Sequence, residues 1–147
     1  MNNYMSIRFK SVSENEALAR ASIASFVSSM NPSIEDLADI KTSISEAVTN
    51  CIVHGYDGGV GMVEMSAYTE GKKLTVKITD KGKGIHNIEQ AREPLFTSKP
   101  EAERSGMGFT IMESFMDNIK VISQVGKGTT VIMSKVLTQK MECDDAG

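Results

Sequence analysis

Glu46 and Asn50 stand four residues apart in the run Ser45-Glu-Ala-Val-Thr-Asn50, so on a helix they share a face. A carboxylate so placed can take a proton from a hydroxyl. An amide oxygen beside it can bind a hard cation such as Mg²⁺. The same pair would equally suit a solvated helix face. A second group is Asp80-Lys-Gly-Lys-Gly84-Ile85. Asp80 keeps the parity of Leu74, Val76 and Ile78, so an inward row ends in a carboxylate that needs a donor. The amino group of an adenine would supply one, and Gly82 and Gly84 would let backbone approach a flat ring. An ordinary strand-ending turn has the same composition. Third comes Arg104-Ser-Gly-Met-Gly-Phe109, where a loop runs into a helix. Free N–H groups at a helix start attract phosphate, and Arg104 can reach a terminal one; a flexible hinge with a surface arginine is the alternative. Fourth is Gly126-Lys-Gly-Thr129, a hairpin turn whose Thr129 hydroxyl could support a bound base.

The elements that must position these groups follow from periodicity. Met5, Ile7 and Phe9 alternate, which predicts a half-buried strand over Tyr4–Lys10. Ser13 with Glu16 three residues on reads as a capping box. It opens a helix to about Ser29, with Ala17, Ala21 and Ala24 at helical spacing. Asn31-Pro32 breaks the chain. Ser33, with Asp36, caps a second helix. Its stripe is Leu37, Ile40, Ile44, Ala47, Val48 and Cys51, and it ends near His54-Gly55. Glu46 lies roughly 145° and Asn50 roughly 105° from the centre of that stripe, at about 100° per residue. Both flank the stripe and so can line a cleft. After a turn at Asp57-Gly58-Gly59, Val63–Ala67 and Leu74–Ile78 alternate as adjacent strands joined at Glu70-Gly71-Lys72. Asp80 to Arg104 has little periodicity and contains Pro94 and Pro100, the mark of a functional or mobile loop. A helix over Gly106–Asp117 and strands over Val121–Val125 and Thr130–Leu137 complete the order. The fold class expected is α/β, a two-layer α+β arrangement. Helices cover one face of a mixed, largely antiparallel sheet.

Composition narrows the function classes. The 147 residues carry 16 basic and 19 acidic side chains, a net charge of −3, which argues against an electrostatic grip on nucleic acid. No apolar run approaches the ~20 residues of a membrane span. Two cysteines, Cys51 and Cys143, are too few for a disulfide framework or a zinc site. The start of the chain lacks a signal-peptide layout, so a soluble, cytoplasmic chain is expected.

Taken in order, the four groups resemble the boxes of the Bergerat-type (GHKL) ATP-binding fold, shared by gyrase, heat-shock ATPases, histidine kinases and mismatch-repair ATPases. Ser45–Tyr56 (SEAVTNCIVHGY), Pro94–Pro100 (PLFTSKP) and Glu103–Glu113 (ERSGMGFTIME) resemble one branch of it, the anti-sigma factor kinases. Ser13–Glu16 fits as well. The resemblance implies a single ATP-binding domain over residues 1–140, with 141–147 as an acidic tail. It implies a homodimer that binds a sigma factor of the sporulation type and phosphorylates a serine of an anti-anti-sigma protein. The implied cofactors are ATP and Mg²⁺. Glu46 and Arg104 would be catalytic, and Asn50 would ligate Mg²⁺. Nucleotide contacts would come from Asn50, His54, Asp80, Gly82, Gly84, Ile85, Thr97, Ser98, Arg104, Ser105, Gly106, Met107, Gly108, Phe109 and Thr129. His54 also reads as a helix-terminal residue favoured by the dipole. Glu16 and Arg20, one turn apart and expected to be exposed, form either a surface ion pair or a docking edge for a partner. No full histidine kinase is expected, since no helical module with a phospho-accepting histidine is present.

Overall fold

The computed structural model describes residues 2–57, 59–85 and 108–138. Strand β1 spans Asn3–Lys10, helix α1 Glu14–Val27 and helix α2 Ile34–Asn50. Strands β2 and β3 span Met62–Glu70 and Lys73–Asp80. Helix α3 spans Gly108–Phe115, and strands β4 and β5 span Asn118–Gln124 and Gly128–Val136. The strands form a five-stranded sheet in the order β1-β2-β3-β5-β4. Every pairing is antiparallel, not mixed.

Alternation sorts the sheet into two faces. Val63, Met65, Ala67, Leu74, Val76, Ile78, Val131 and Met133 are buried under the helices. The other face carries Tyr4, Tyr68, Lys77 and Ile122. Helix α2 packs against both α1 and α3; of the predicted stripe, Ile40, Ile44, Ala47 and Val48, with Cys51 just past its end, are buried, while Leu37 is half-buried. Ser33 accepts a hydrogen bond from the Asp36 N–H (3.1 Å), the predicted cap. Gly71 turns the β2–β3 hairpin at φ 61° and Gly126 the β4–β5 hairpin at φ 81°, conformations that cost glycine little.

Helix α1 departs from expectation. Its buried face is Ala19, Ile23 and Val27, while Ala17 and Ala21 are exposed. An alanine-rich helix has no sharp apolar stripe, and the bulkier Ile23 and Val27 decide which side turns inward. No capping box forms, because Ser13 has helical backbone angles and makes no side-chain cap bond. The helix ends in a short 3₁₀ turn over Ser28–Met30, and Asn31 (φ 52°) breaks the chain as expected. Beyond Asn50 the chain continues as a π turn over Cys51–Gly55. Gly58, the 86–107 segment and residues 139–147 lie outside the described residues, and with them His86, Pro94, Pro100 and the acidic tail. No helix among the described residues is long and apolar enough to cross a membrane.

Candidate functional site

The π turn at the end of α2 sets the geometry. Its last carbonyl, on Gly55, accepts from the Lys83 N–H (2.8 Å). A β-carbon on Gly82 would collide with that carbonyl, so the glycine is required by the close approach of the π turn to the turn after β3, a contact within the protein and not the approach to a flat ring expected from its sequence context. π turns inside helices concentrate at functional sites. Here the turn brings the end of α2 onto the turn after β3.

Asp80 is buried, at 4% exposure, on the inward face at the end of β3. It sits in a row across the sheet with Val63 on β2 and Thr129 on β5. Its Oδ1 accepts from the Gly82 N–H (2.9 Å). Burial raises its pKa, while donation from the Gly82 N–H, the Cys51 thiol and the Thr129 N–H opposes the rise. Cys51 is pushed well above its usual range, first by burial and then by the Asp80 charge. It therefore stays a neutral thiol that can donate. In the sequence Cys51 belongs to the apolar stripe, and nothing in periodicity marks it as the donor to a carboxylate far along the chain.

The turn carrying Asp80 is fixed by donors and acceptors on both sides. The Lys81 N–H donates to the Tyr56 hydroxyl (2.7 Å), and the Ile85 N–H donates to Ser123 Oγ (2.6 Å). The Gly126 N–H donates to the Lys83 carbonyl (2.7 Å), which ties this turn to the Gly126–Thr129 turn. Gly84 has φ 78°, and a β-carbon there would strike the Gln124 carbonyl. Thr129 is buried, and its Oγ1 lies 2.8 Å from Ser123 Oγ. The sequence does not mark Tyr56 or Ser123 as a site residue. Their hydroxyls act on backbone groups distant in sequence, which no local pattern reveals.

Glu46 and Asn50 do share a face of α2, and Gly108, the first residue of α3, lies against both. A β-carbon on Gly108 would stand 3.3 Å from Glu46 Oε1 and 3.4 Å from Asn50 Oδ1. The Asn50 side-chain nitrogen is buried and has no hydrogen-bond partner among the described residues. Phe109 is buried in the core beside them, and His54 is half-buried in the π turn. Since Asn50 and Cys51 are consecutive, the Glu46–Asn50 pair and the Asp80 turn belong to one region. Thr97, Ser98, Arg104, Ser105, Gly106 and Met107 lie outside the described residues.

Glu16 and Arg20 are only half-buried, not fully exposed. Arg20 Nη1 lies 3.4 Å from Glu16 Oε2 and donates to Ser45 Oγ (3.2 Å). The Thr49 hydroxyl donates to Glu16 (3.5 Å). The ion pair therefore bridges α1 to the residues of α2 next to Glu46 and Asn50.

A buried amide N–H donor with no partner among the described residues, beside a carboxylate and with Gly108 against both, suits an acceptor such as a phosphate oxygen and leaves the amide oxygen for a divalent cation. Among the described residues no cluster of three or more His, Cys, Asp or Glu could hold a metal by itself. Mg²⁺ keeps several waters and takes few protein oxygens beside those of substrate phosphates, so the oxygen of Asn50 could serve as one such ligand.

Comparison with known proteins identifies the family. A family model described as the histidine kinase-like ATPase domain matches residues 9–135. The anti-sigma F factor of Clostridium acetobutylicum is 54% identical over 135 residues, covering 92% of this chain and 94% of that one. The anti-sigma F factor of Anoxybacillus flavithermus is 51% identical over 140 residues, covering 95% and 96%. Among solved structures, the RsbU and RsbW domains of a Mycobacterium tuberculosis protein match with a TM-score of 0.67 at 18% identity. That match covers 94% of this chain and 34% of the other, and it is a likeness of fold. With a Bergerat-type ATP-binding fold and relatives at this identity over nearly its whole length, the chain belongs to the anti-sigma F factor family of histidine kinase-like ATPase domains.

Proposed function

We propose that this chain is an ATP-dependent serine-protein kinase and anti-sigma factor. It binds a sigma factor of the F type and phosphorylates a serine of that factor's anti-anti-sigma antagonist, working as a cytoplasmic homodimer. Residues 1–140 would be its one domain and 141–147 its acidic tail. The observation that carries the reading is the union of two groups at the end of α2. Glu46 and Asn50, whose side-chain nitrogen has no partner among the described residues, lie against Gly108, and the residue after Asn50, Cys51, meets the buried Asp80.

In this reading Asp80 accepts a hydrogen bond from the adenine amino group. Thr129 supports it, and Gly82, Gly84 and Ile85 form the wall beside the ring. Asn50 ligates Mg²⁺, which neutralises phosphate charge when bound. His54 faces the phosphates from the π turn. The Gly106-Met107-Gly108 backbone, with Ser105 and Phe109, cradles phosphate, and Arg104 meets the terminal one. Thr97 and Ser98 complete the loop over the nucleotide. Glu46 orients the incoming serine hydroxyl and takes its proton. Positioning and charge neutralisation then supply most of the rate, as in phosphoryl transfer generally. Nucleotide binding alone needs Asn50, Asp80 and the glycines; a carboxylate at Glu46 favours transfer over sensing.

The test is incubation with γ-labelled ATP, the F-type sigma factor and its antagonist, with and without Mg²⁺. Label on a serine of the antagonist is expected. Released phosphate would mean an ATP hydrolase, and neither outcome with intact sigma binding would mean a non-catalytic nucleotide sensor.

A further inference from the structure

The turn that presents Asp80 contains two glycines, and a flexible backbone there would blur where the carboxylate points. Two hydroxyls outside the proposed nucleotide-contacting set hold it. On one side the Tyr56 hydroxyl accepts from the Lys81 N–H (2.7 Å) and donates to the Met62 carbonyl (2.5 Å). It thereby joins the residue after Asp80 to the start of β2, whose Val63 pairs with Asp80. The Tyr56 ring lies against Gly61, where any β-carbon would collide with it. The π turn delivers Tyr56 to this place, its N–H donating to the Cys51 carbonyl (3.1 Å). On the other side Ser123 Oγ accepts from the Ile85 N–H (2.6 Å), lies 2.8 Å from Thr129 Oγ1 and donates to the Gly128 carbonyl (3.1 Å).

We infer that Tyr56 and Ser123 are positioning residues for base recognition: their hydroxyls pin the two ends of the 81–85 turn and so fix the direction of the Asp80 carboxylate toward an adenine amino group. The inference rests on the reading of Asp80 as the base-reading group. It assigns neither residue a contact with nucleotide. A fixed acceptor discriminates by leaving a mismatched ring unpaired, so its selectivity depends on direction, and direction depends on the turn.

The experiment compares binding of ADP and of inosine diphosphate, which carries a carbonyl where adenine carries its amino group. Full-length parent, Tyr56→Phe, Ser123→Ala and Asp80→Asn proteins are titrated by calorimetry, with a thermal melt for each. The parent is expected to favour ADP, and Asp80→Asn to lose that preference. Tyr56→Phe and Ser123→Ala should each weaken ADP by about tenfold, the scale of one hydrogen bond, and weaken inosine diphosphate less. The ratio of the two affinities then falls. A lowered melting temperature with the parental ratio retained marks a merely structural role and overturns the assignment of that residue. If Asp80→Asn keeps the parental ratio, base reading by Asp80 fails and this inference fails with it. If only Asp80→Asn changes the ratio, the inference alone is overturned.

Discussion

Gly55 and Asp80 meet so closely that a β-carbon on Gly55 would stand 2.8 Å from Asp80 Oδ2. The contact joins the end of α2 to the end of β3, and it leaves one face of the carboxylate lined by backbone. Gly55→Ala must therefore shift Asp80 or unwind the π turn. Overpacking of this kind costs about 1–3 kcal/mol. The expected result is a lower melting temperature and ADP affinity reduced by about tenfold or more. Parental affinity in the folded variant would show that the contact does not set the position of Asp80.

Asp80→Asn tests the same carboxylate directly. An amide cannot match the adenine amino group with acceptors alone, so ADP and ATP should both bind more weakly by ~1–3 kcal/mol. Equal ADP affinity in the folded variant and the parent removes Asp80 from the site.

Burial raises the Asp80 pKa, which fixes the sign of a pH effect. The folded state holds this proton more tightly than the unfolded chain. The stabilisation is complete below the ordinary aspartate value of about 3.9 and is lost as pH rises through the higher folded value. Between neutral pH and that ordinary value, the parent should gain stability relative to Asp80→Asn as pH falls. Denaturant titrations of both proteins across the range measure it. A difference that stays flat, or that moves the other way, contradicts the burial argument.

Ser43 lies on α2 with its hydroxyl fully buried and without a hydrogen-bond partner among the described residues. Ser43→Ala removes that unmatched group and adds a better helix former. The variant should be more stable by about 1–2 kcal/mol, seen as a higher denaturant midpoint with unchanged nucleotide binding. A loss of stability would mean that the hydroxyl finds a partner in solution.

Arg20 ties Glu16 to Ser45. Arg20→Glu removes the tie and places two carboxylates one turn apart on α1. For a half-exposed pair the stability cost is at most about 1 kcal/mol. If this edge docks the sigma factor or its antagonist, association with one of them should weaken while ADP affinity holds. Unchanged association with both would leave Glu16 and Arg20 as an intramolecular bridge only.

The parts legible in the sequence were those governed by local rules. Helix α2 was readable because its bulky apolar residues recur on one side and Ser33 caps it. The strands were readable because their alternation matches burial on one face. Asp80 was placed inward by parity alone, and it is inward. The reading failed where tertiary contacts decide. In α1 the alanines gave a stripe, but Ile23 and Val27 choose the buried side. Glu16 looked like a capping partner of Ser13, yet Arg20 and Thr49 engage it instead. The π turn has no local signature, since the approach of Gly55 to Asp80 and Gly82 goes with it. The donors around Asp80 were missed for the same reason. A carboxylate that needs a partner can be recognised from sequence, but which thiol and which backbone N–H supply it depends on the fold.

The most direct measurement is the rate of phosphate transfer from ATP to the antagonist serine by the Glu46→Gln protein, with ATP affinity measured on the same preparation. The substitution nearly keeps shape and removes the base. The account predicts that ATP affinity is retained and that transfer falls by ~10²–10⁴, the usual worth of a positioned base. Undiminished transfer by a folded, ATP-binding Glu46→Gln protein would contradict it.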